Sequence, residues 1–413
     1  MSTVRAPYAS LATPNFSGAQ VRHFGYLTAG QDQSLFAHAP QPFDRTSDRG
    51  TLAMALGATL YSPGTTRDYA RRISTLVGGG VTSAVLCLED AIRDTDVPAA
   101  ERNVATQLAE LHQAERQRGC AAGPLLFVRV RHADQIRSLV KEIGPAAAIL
   151  TGFVFPKFTA AAGSEFLETL AEVRAETGLE LYGMPVLEAP ETIYAETRVR
   201  ELLEVRDLLT SHADAILAVR IGATDMCGLF GLRRSNDQTV YDLTLVREVI
   251  ADIVNVFCRD SQFVVTGPVW EYFARGERIF KPLLRESPFR ARDDLPNALN
   301  VRRQLMRSDL DGLLAEVVLD KATGIIGKTV IHPSHVRPVH AMLVVTAEEH
   351  SDALATLCLT DGGVRTSEYA NKMIESKPHA RWAAGILRRA AVFGVLRPDR
   401  TFVDLLDIED VGA

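Results

Sequence analysis

Two acidic side chains follow two short apolar segments of the chain, and together they could bind a metal ion. Glu188 ends the segment LYGMPVLE (181–188), and Asp225 lies just past the segment DAILAVRIG (214–222). If both segments are neighbouring parallel strands, their carboxyl ends meet at one edge of the sheet and the carboxylates converge. Mg²⁺ usually takes one or two protein carboxylates and leaves its other positions to water and substrate. The spacing therefore predicts a metal site with open positions for chemistry on a small organic acid.

Each of these acids also has a structural interpretation. Asp and Glu are favourable at helix N-termini, so either Glu188 or Asp225 could instead cap the helix that follows it. Gly222 opens space beside the metal position, because it has no side chain. This combination favours ligation by both acids over capping.

Other charged side chains stand where further apolar segments end, and these are Glu89, Asp90, Arg129 and Lys157. An arginine inside a barrel needs an anionic partner, because burying an unpaired charge is expensive. For Arg129 the partner is Glu89, Asp90, or a substrate carboxylate or enolate oxygen bound in bidentate fashion. A purely structural ion pair is the alternative. Lys157 either adds positive charge near the substrate or extends its charged end into solvent.

The segment YSPGTTR (61–67) offers hydroxyl groups, backbone N–H groups and Arg67 after the first apolar run. Such groups could dock an anion, although the segment is not a nucleotide-binding loop. We therefore take Arg67, Lys157, Gly222 and Ala223 as the candidate substrate-binding residues.

The elements that position these residues alternate regularly along the chain. Eight β-type segments occur, at 58–63, 83–90, 125–130, 148–156, 181–188, 214–222, 262–269 and 324–333, and amphipathic helical segments separate them. Strands that alternate with helices imply a parallel sheet. Eight units predict an α/β fold, a closed (β/α)₈ TIM barrel whose active site lies at the carboxyl ends of the strands. An open doubly wound sheet is the alternative, but it would concentrate the polar strand ends at one switch point.

This pattern divides the chain into three parts. We expect an N-terminal arm at 1–50, a barrel catalytic domain at 51–344 and a helical C-terminal extension or lid at 345–413. Between the seventh and eighth units lies an arginine-rich insert at 270–320. In the extension, residues 379–396 read as one amphipathic helix.

The composition excludes several classes of function. The chain has 413 residues, of which 46% are hydrophobic and 23% charged, with a net charge of −6. This balance gives no electrostatic case for binding nucleic acid or a membrane surface, and no run is apolar enough to span a bilayer. We expect a cytoplasmic protein whose five cysteines are buried reduced thiols, because they are scattered and form no CxxC pair.

Seven short motifs, taken in order, resemble those of a known superfamily: GATLYSPGTT, LCLEDAI, FVRV, GFVFPK, PVLEAPE, IGATD and GKTVIHPSHV. The resemblance is to the citrate lyase β-subunit, malyl-CoA lyase and HpcH/HpaI aldolase superfamily, and it covers about residues 51–340. The segment 34–66 resembles one branch in particular, the C–C bond lyases of the TIM-barrel fold that are associated with tellurite-resistance operons.

The resemblance implies a carbon–carbon lyase that uses Mg²⁺, with Mn²⁺ as the alternative. The enzyme would cleave or form a bond next to an enolisable carbonyl of a small 2-oxo or 2-hydroxy acid or its CoA thioester. By the same resemblance Glu188 and Asp225 bind the metal, Arg129 binds substrate, and Glu89 and Asp90 form the acidic motif of the second strand. A pyruvate-type class II aldolase without CoA, and a catalytically idle barrel that acts as a binding subunit, are the alternatives.

The sequence departs from the better-known members of the superfamily at three places. Cys87 stands where an aspartate is usual, and Arg220 adds a cation two residues before GATD. The family motif that presents an aspartate from a lid to a neighbouring subunit corresponds here to 371–383, with Glu375 at the nearest match. The resemblance thus implies a homo-oligomer, a trimer or hexamer, in which Glu375, Glu89 or Asp90 moves the proton.

Overall fold

The computed structural model describes residues 21–118, 123–273, 310–359 and 362–408 of the chain. Eight parallel strands close into a barrel in sequence order. The strands are β1 (Ala58–Pro63), β2 (Ser83–Cys87), β3 (Leu125–Arg129), β4 (Leu150–Phe155), β5 (Tyr182–Leu187), β6 (Val219–Ile221), β7 (Val265–Trp270) and β8 (Lys328–Val330). This closure confirms the (β/α)₈ prediction and excludes the open sheet. Most of the arginine-rich insert, 274–309, lies outside the described residues.

Eight helices alternate with the strands and cover the barrel. They are α1 (Tyr69–Gly78), α2 (Val97–Arg118), α3 (Ala133–Ile143), α4 (Ala160–Thr177), α5 (Arg198–Ser211), α6 (Thr244–Phe257), α7 (Asp311–Ala322) and α8 (Val336–Leu343). Helix α6 shows why they pack as they do. Its buried residues Val246, Val249, Ile250 and Ile253 recur at the spacing of one helix face, which places a continuous apolar stripe against the strands.

Most strands are shorter than the predicted segments, and the difference is largest for β6 and β8, which have three residues each. In the predicted segment 214–222, Ile216 makes only an isolated bridge to Gly183, and the ladder is continuous only over β6. In the segment 324–333, Gly324 and Gly327 adopt positive φ angles of 87° and 84°, so the chain turns before β8 begins. The apolar composition of a segment does not predict such backbone turns.

The C-terminal extension is only partly helical. Helices α9 (Ala347–Leu357), α10 (Ser376–Phe393) and α11 (Phe402–Leu406) are present, but the strands Val364–Thr366 and Met373–Glu375 form a hairpin between α9 and α10. The amphipathic helix predicted at 379–396 ends at Phe393, because Gly394 has a φ of 79° and stops the helix. The next residues, Val395–Leu396, form a strand.

The described part of the N-terminal arm packs against this extension. It contains the helices Ala29–Leu35 and Arg49–Ala55, and its short strand Phe36–His38 pairs with Val395–Leu396. The arm and the extension therefore form one layer rather than two independent appendages.

This layer lies at the amino-terminal end of the barrel. Arg49 donates a hydrogen bond of 3.0 Å to the carbonyl of Ile216, which precedes β6. In α10, Arg381 forms an ion pair with Asp260, which precedes β7. Helix α10 also packs on helix Arg49–Ala55, which leads into β1. The extension of one chain thus lies opposite the strand ends that carry its own candidate active-site residues.

The cysteines correct one expectation. Cys87 and Cys227 are buried and Cys258 is half-buried, but Cys358 is exposed, and none of these four forms a disulfide. Cys120 lies outside the described residues. Over the described ranges, no helix combines the length and the apolar character needed to cross a membrane.

Candidate active site

Glu188 and Asp225 lie at the carboxyl ends of two paired strands. Glu188 directly follows β5 and is 3% exposed, whereas Asp225 lies in the first turn of the short helix Ala223–Leu229 after β6. Strands β5 and β6 pair in parallel, with Leu187 opposite Ile221. Burial raises the pKa of Glu188 to about 7 despite the opposing charge of Arg129, and the charge of Asp225 adds to the rise. The two acids therefore repel one another, and a shared cation would relieve this repulsion.

Gly222 makes room for the Glu188 carboxylate. A Cβ atom at this position would clash with the Oε2 and Cβ atoms of Glu188. No other residue type fits here without moving Glu188. The absence of a side chain at Gly222 is thus a packing requirement of the site, and Oε2 of Glu188 lies against the backbone that leads to Asp225.

Arg129, at the end of β3, contacts three carboxylates that follow two other strands, β2 and β5. Its Nη2 atom lies 2.7 Å from Oε1 of Glu188, 2.7 Å from Oε2 of Glu89 and 3.5 Å from Oδ2 of Asp90. Burial would lower the pKa of Arg129, but the charges of Glu188 and Glu89 outweigh it and raise that pKa. Arg129 is therefore a permanent cation within the site, and its Nε atom is buried with no hydrogen-bond partner among the described residues.

Lys157 occupies a strained position beside Glu188. Its φ of 46° lies in the left-handed region, which a residue with a Cβ atom adopts only at a cost. In this conformation its backbone N–H donates a hydrogen bond of 3.1 Å to Oε1 of Glu188. Its ammonium group forms an ion pair with Glu89 and lies 3.3 Å from Oδ2 of Asp90. The strain thus lets one residue contact three carboxylates.

Glu89 and Asp90 have different electrostatic environments although they are adjacent. Burial raises the pKa of Glu89 against the charge of Arg129. Burial also acts to raise the pKa of Asp90, but its side-chain hydrogen bond with Glu89 and the charges of Arg129 and Lys157 lower that pKa overall. Glu89 is therefore the stronger base of the pair.

Glu188 and Asp225 can hold a divalent cation as a two-carboxylate site. In the part of the chain that the structure describes, no group of three or more His, Cys, Asp or Glu side chains is arranged to hold a metal ion. A two-carboxylate donor set suits Mg²⁺, which keeps several waters or substrate oxygens, better than Zn²⁺. The mutual repulsion of the two acids and the space at Gly222 fit the same ion.

The remaining candidate residues are less closely connected. Arg67 is exposed in the loop between β1 and α1 and makes no ion pair with any residue that the structure describes. Ala223 is buried and begins the short helix that carries Asp225. Glu375 precedes α10 in the C-terminal layer, and its backbone N–H donates to Nδ1 of His379 at 3.2 Å. Because that layer lies at the opposite end of the barrel, Glu375 does not reach the site of its own chain.

A buried ion network that was not predicted from the sequence supports the β6 side of the site. Lys328 at the start of β8 lies 2.7 Å from Glu316 and 2.8 Å from Asp320, both on α7. Glu316 also pairs with Arg234, and the Tyr241 hydroxyl donates to Asp320 at 2.6 Å. The network fixes the loop after the Asp225 helix to α7. The sequence does contain a signal for this network, because Glu316 and Asp320 lie four residues apart on the otherwise apolar face of α7.

A comparison with family models places most of the chain in one family. Residues 50–395 match the model described as the C–C bond lyase of the TIM-barrel fold. No curated protein matches the sequence.

Solved structures with the same fold include a citrate lyase from Burkholderia xenovorans LB400, with a TM-score of 0.54 and 14% identity, covering 85% of this chain and 96% of that one. The protein CitE from Mycobacterium tuberculosis, solved with magnesium, acetoacetate and coenzyme A, gives a TM-score of 0.46 and 19% identity over 82% of this chain and 99% of that one. Malate synthase from Haloferax volcanii gives a TM-score of 0.47 and 14% identity, covering 72% of this chain and 76% of that one. At these identities the similarity concerns the fold.

Proposed function

The chain belongs to the C–C bond lyase family of the TIM-barrel fold, and from this membership we propose that it is a Mg²⁺-dependent carbon–carbon lyase of small organic acids. It cleaves or forms a bond next to the enolisable carbonyl of a 2-oxo or 2-hydroxy acid or of its CoA thioester. One observation carries the proposal. Glu188 and Asp225 follow the paired strands β5 and β6, the charge of Asp225 acts on the buried Glu188, and Arg129 contacts Glu188.

Glu188 and Asp225 would hold the cation, which when bound supplies Lewis-acid polarisation of the substrate oxygens. Glu188 has two oxygen atoms with different roles in this arrangement. Its Oε1 atom is held by Arg129 and by the backbone N–H of Lys157, at 2.7 and 3.1 Å. Its Oε2 atom lies against Gly222 on the side toward Asp225, and this is the atom we assign to the cation.

Arg129 stabilises the negative charge that develops as the bond breaks. When the C–C bond is cleaved, its electron pair moves onto the carbonyl oxygen of one fragment and forms an enolate. A fixed guanidinium cation in a water-poor site stabilises such a charge more strongly than solvent does. Arg129 is held in place by three carboxylates, so little reorganisation is needed when the charge appears.

A carboxylate must move the proton in this reaction. In the cleavage direction a base takes the proton of the substrate hydroxyl, whose O–H electrons become part of the new carbonyl group, and an acid returns a proton to the enolate carbon. Glu89 and Asp90 lie beside Arg129 in the same chain. We assign the proton to one of these two acids or to Glu375 from a neighbouring subunit.

The role of Glu375 requires a homo-oligomer, a trimer or a hexamer. Because α10 packs at the amino-terminal end of its own barrel, Glu375 can reach a site only in another subunit. The free cysteines of the described residues suit a reducing compartment, and we place the enzyme in the cytoplasm.

Hydrogen–deuterium exchange tests the proposal without knowledge of the second substrate. An enzyme that stabilises an enolate exchanges the protons next to the carbonyl of its donor substrate in D₂O. We would follow the methyl signals of pyruvate and of acetyl-CoA by NMR, with Mg²⁺ and with EDTA. We expect exchange of at least one donor that requires Mg²⁺ and is lost in Glu188→Gln.

The matched control is Glu204→Gln, which changes an exposed glutamate on α5 and should leave the exchange rate unaltered. Exchange with neither donor above the rate given by Mg²⁺ alone would contradict the proposal and favour a barrel that only binds. A later mass-spectrometric screen of 2-oxo acids and acyl-CoA thioesters would then identify the substrate of an active enzyme.

A further inference from the structure

Arg220 is a fully buried cation in the barrel wall. It lies in β6 and is 1% exposed. One guanidinium nitrogen, Nη2, donates to the Thr329 hydroxyl at 2.6 Å, and the other lies 3.8 Å from the sulfur of Met184. The guanidinium carbon lies 5.4 Å from the centre of the Tyr61 ring. All three neighbours belong to barrel strands, so Arg220 extends into the barrel interior.

No carboxylate neutralises this arginine within the described residues. Arg129, by comparison, contacts three carboxylates in the same barrel. A buried charge without a counter-charge is expensive, and burial lowers the pKa of Arg220 accordingly. Thr266 on β7 is the register partner of Arg220, and its hydroxyl oxygen is buried with no hydrogen-bond partner in the part of the chain that the structure describes. Arg220 thus carries a charge that no described carboxylate offsets, and Thr266 carries a hydroxyl group without a described partner, so an anion here would satisfy both.

These groups lie directly below the candidate active site. Arg220 lies in β6 two residues before Gly222, which follows that strand and contacts Glu188. Tyr61 is half-buried at the end of β1, and the charges of both Arg220 and Arg129 act on its phenol group. Both arginines therefore lie close enough to Tyr61 for their charges to act on it, which places Arg220 next to the candidate active site.

We propose that Arg220 is a specificity-determining residue that binds a second carboxylate of the substrate, separate from the group held near Glu188 and Asp225. This inference rests on the proposed function and narrows its substrate class to dicarboxylic 2-oxo or 2-hydroxy acids. The planar guanidinium group forms two parallel hydrogen bonds with a carboxylate, and the hydroxyl groups of Tyr61 and Thr266 are further donors. The substrate thus supplies the negative charge that the barrel lacks at this position.

Binding of two matched acids tests this role. Racemic 2-hydroxybutanedioate and 2-hydroxybutanoate differ by a carboxylate in place of a methyl group. With saturating Mg²⁺, calorimetry on the full chain should show that the wild type binds the dicarboxylate at least tenfold more tightly. The Arg220→Met protein should bind the two acids with about equal affinity, because it loses affinity for the dicarboxylate while its affinity for the monocarboxylate stays unchanged. Arg220→Lys should keep part of the preference, because it retains the charge but not the fork geometry.

The melting temperature separates recognition from a structural role. Arg220→Met removes a buried charge without a carboxylate partner, so it should melt at or above the wild-type temperature. The matched control Arg200→Met changes an exposed arginine on α5 and should alter neither affinity. Two results would overturn the inference and leave the lyase proposal standing. The first is equal binding of both acids by the wild type. The second is an Arg220→Lys protein that keeps the full wild-type preference while the Arg220→Met protein is unstable. If the wild type binds neither acid and no Mg²⁺, the proposed function itself fails.

Discussion

The Nη2 atom of Arg129 lies 2.7 Å from Oε1 of Glu188, so the arginine proposed to bind substrate and the first candidate metal ligand form one unit. The contact joins the ends of β3 and β5, which are not neighbouring strands in the barrel. A change at one of the two residues therefore alters the position of the other. This coupling governs the expected results of substitution in the site.

Replacement of Arg129 by lysine should reduce activity much more than stability. Arg129→Lys keeps the positive charge among Glu89, Asp90 and Glu188, so the melting temperature should fall by only a few degrees. Lysine lacks the planar fork, and we expect enolisation to slow by about a hundredfold or more. Exchange rates and thermal melts on the same samples check this. A large drop in melting temperature together with near-normal exchange would instead identify Arg129 as a structural ion-pair residue.

Replacement of Gly222 by alanine should weaken metal binding without a change of any ligand. The added methyl group would clash with the Glu188 carboxylate and displace it. Substitutions beside metal ligands typically cost about 10–100-fold in metal affinity, and we expect a loss of Mg²⁺ affinity in this range. Gly228→Ala is the matched control, because a Cβ atom at Gly228 meets no atom within 4 Å. Equal Mg²⁺ affinities of the two variants would show that the contact between Gly222 and Glu188 is unimportant.

Two buried histidines link the N-terminal arm to the barrel. The rings of His23 and His340 lie 4.3 Å apart, and Nε2 of His340 accepts the backbone N–H of Ala58 at 3.0 Å. Burial lowers the pKa of His340 to about 3 from an ordinary value of 6.5, and burial lowers that of His23 in the same direction. Both rings are therefore neutral in the folded protein.

The folded protein should lose stability as the pH falls below about 6.5. The unfolded chain takes up protons on these histidines between pH 6.5 and 3 and the folded chain does not, so acid favours unfolding. For His340 the loss is on the order of 2 kcal/mol by pH 5. Denaturant unfolding at pH 7 and pH 5 should show a smaller pH effect in His340→Gln, whereas the exposed-site control His132→Gln should behave like the wild type. An unchanged pH effect in His340→Gln would contradict this assignment.

Activity should require Glu375 from a neighbouring subunit. Asp225→Asn removes the metal site and Glu375→Gln removes the lid acid, so each variant alone should be inactive. Mixed oligomers of the two should recover part of the activity, because some sites combine an intact metal centre with an intact Glu375. Native mass spectrometry would establish that subunits have exchanged. Exchanged oligomers as inactive as their parents would assign the proton transfer to Glu89 or Asp90.

Much of the fold follows from local sequence pattern. Seven of the eight strands lie within the predicted segments, and β7 extends one residue beyond its segment, to Trp270. The pattern succeeds because each buried parallel strand is a short apolar run between helical segments of different period. The positions of Glu188 and Asp225 at neighbouring strand ends follow from the same alternation. The hairpin formed by Val364–Thr366 and Met373–Glu375 was not predicted, because each strand has only three residues and the hairpin lies between two helices.

Contacts between distant residues could be predicted only in part. The pairing of Arg129 with Glu89 and Asp90 could be anticipated from neighbouring strand ends, but its contact with Glu188 crosses the barrel mouth. The two acids on one face of α7 indicate a buried network, but their pairing with Lys328 depends on tertiary packing that the local pattern does not give. The distance of Glu375 from the site of its own chain likewise follows from the packing of α10 and not from its motif.

Titration of the protein with Mg²⁺ by calorimetry tests the central claim most directly. We predict one Mg²⁺ site per chain in the wild type, with binding lost or strongly weakened in both Asp225→Asn and Glu188→Gln while circular dichroism shows an intact fold. Asp207→Asn, a change at an exposed aspartate on α5, should bind as the wild type does. Two results would contradict the assignment of a metal site to these two acids. Either the wild-type protein binds neither Mg²⁺ nor Mn²⁺, or the Asp225→Asn and Glu188→Gln proteins bind with unchanged affinity.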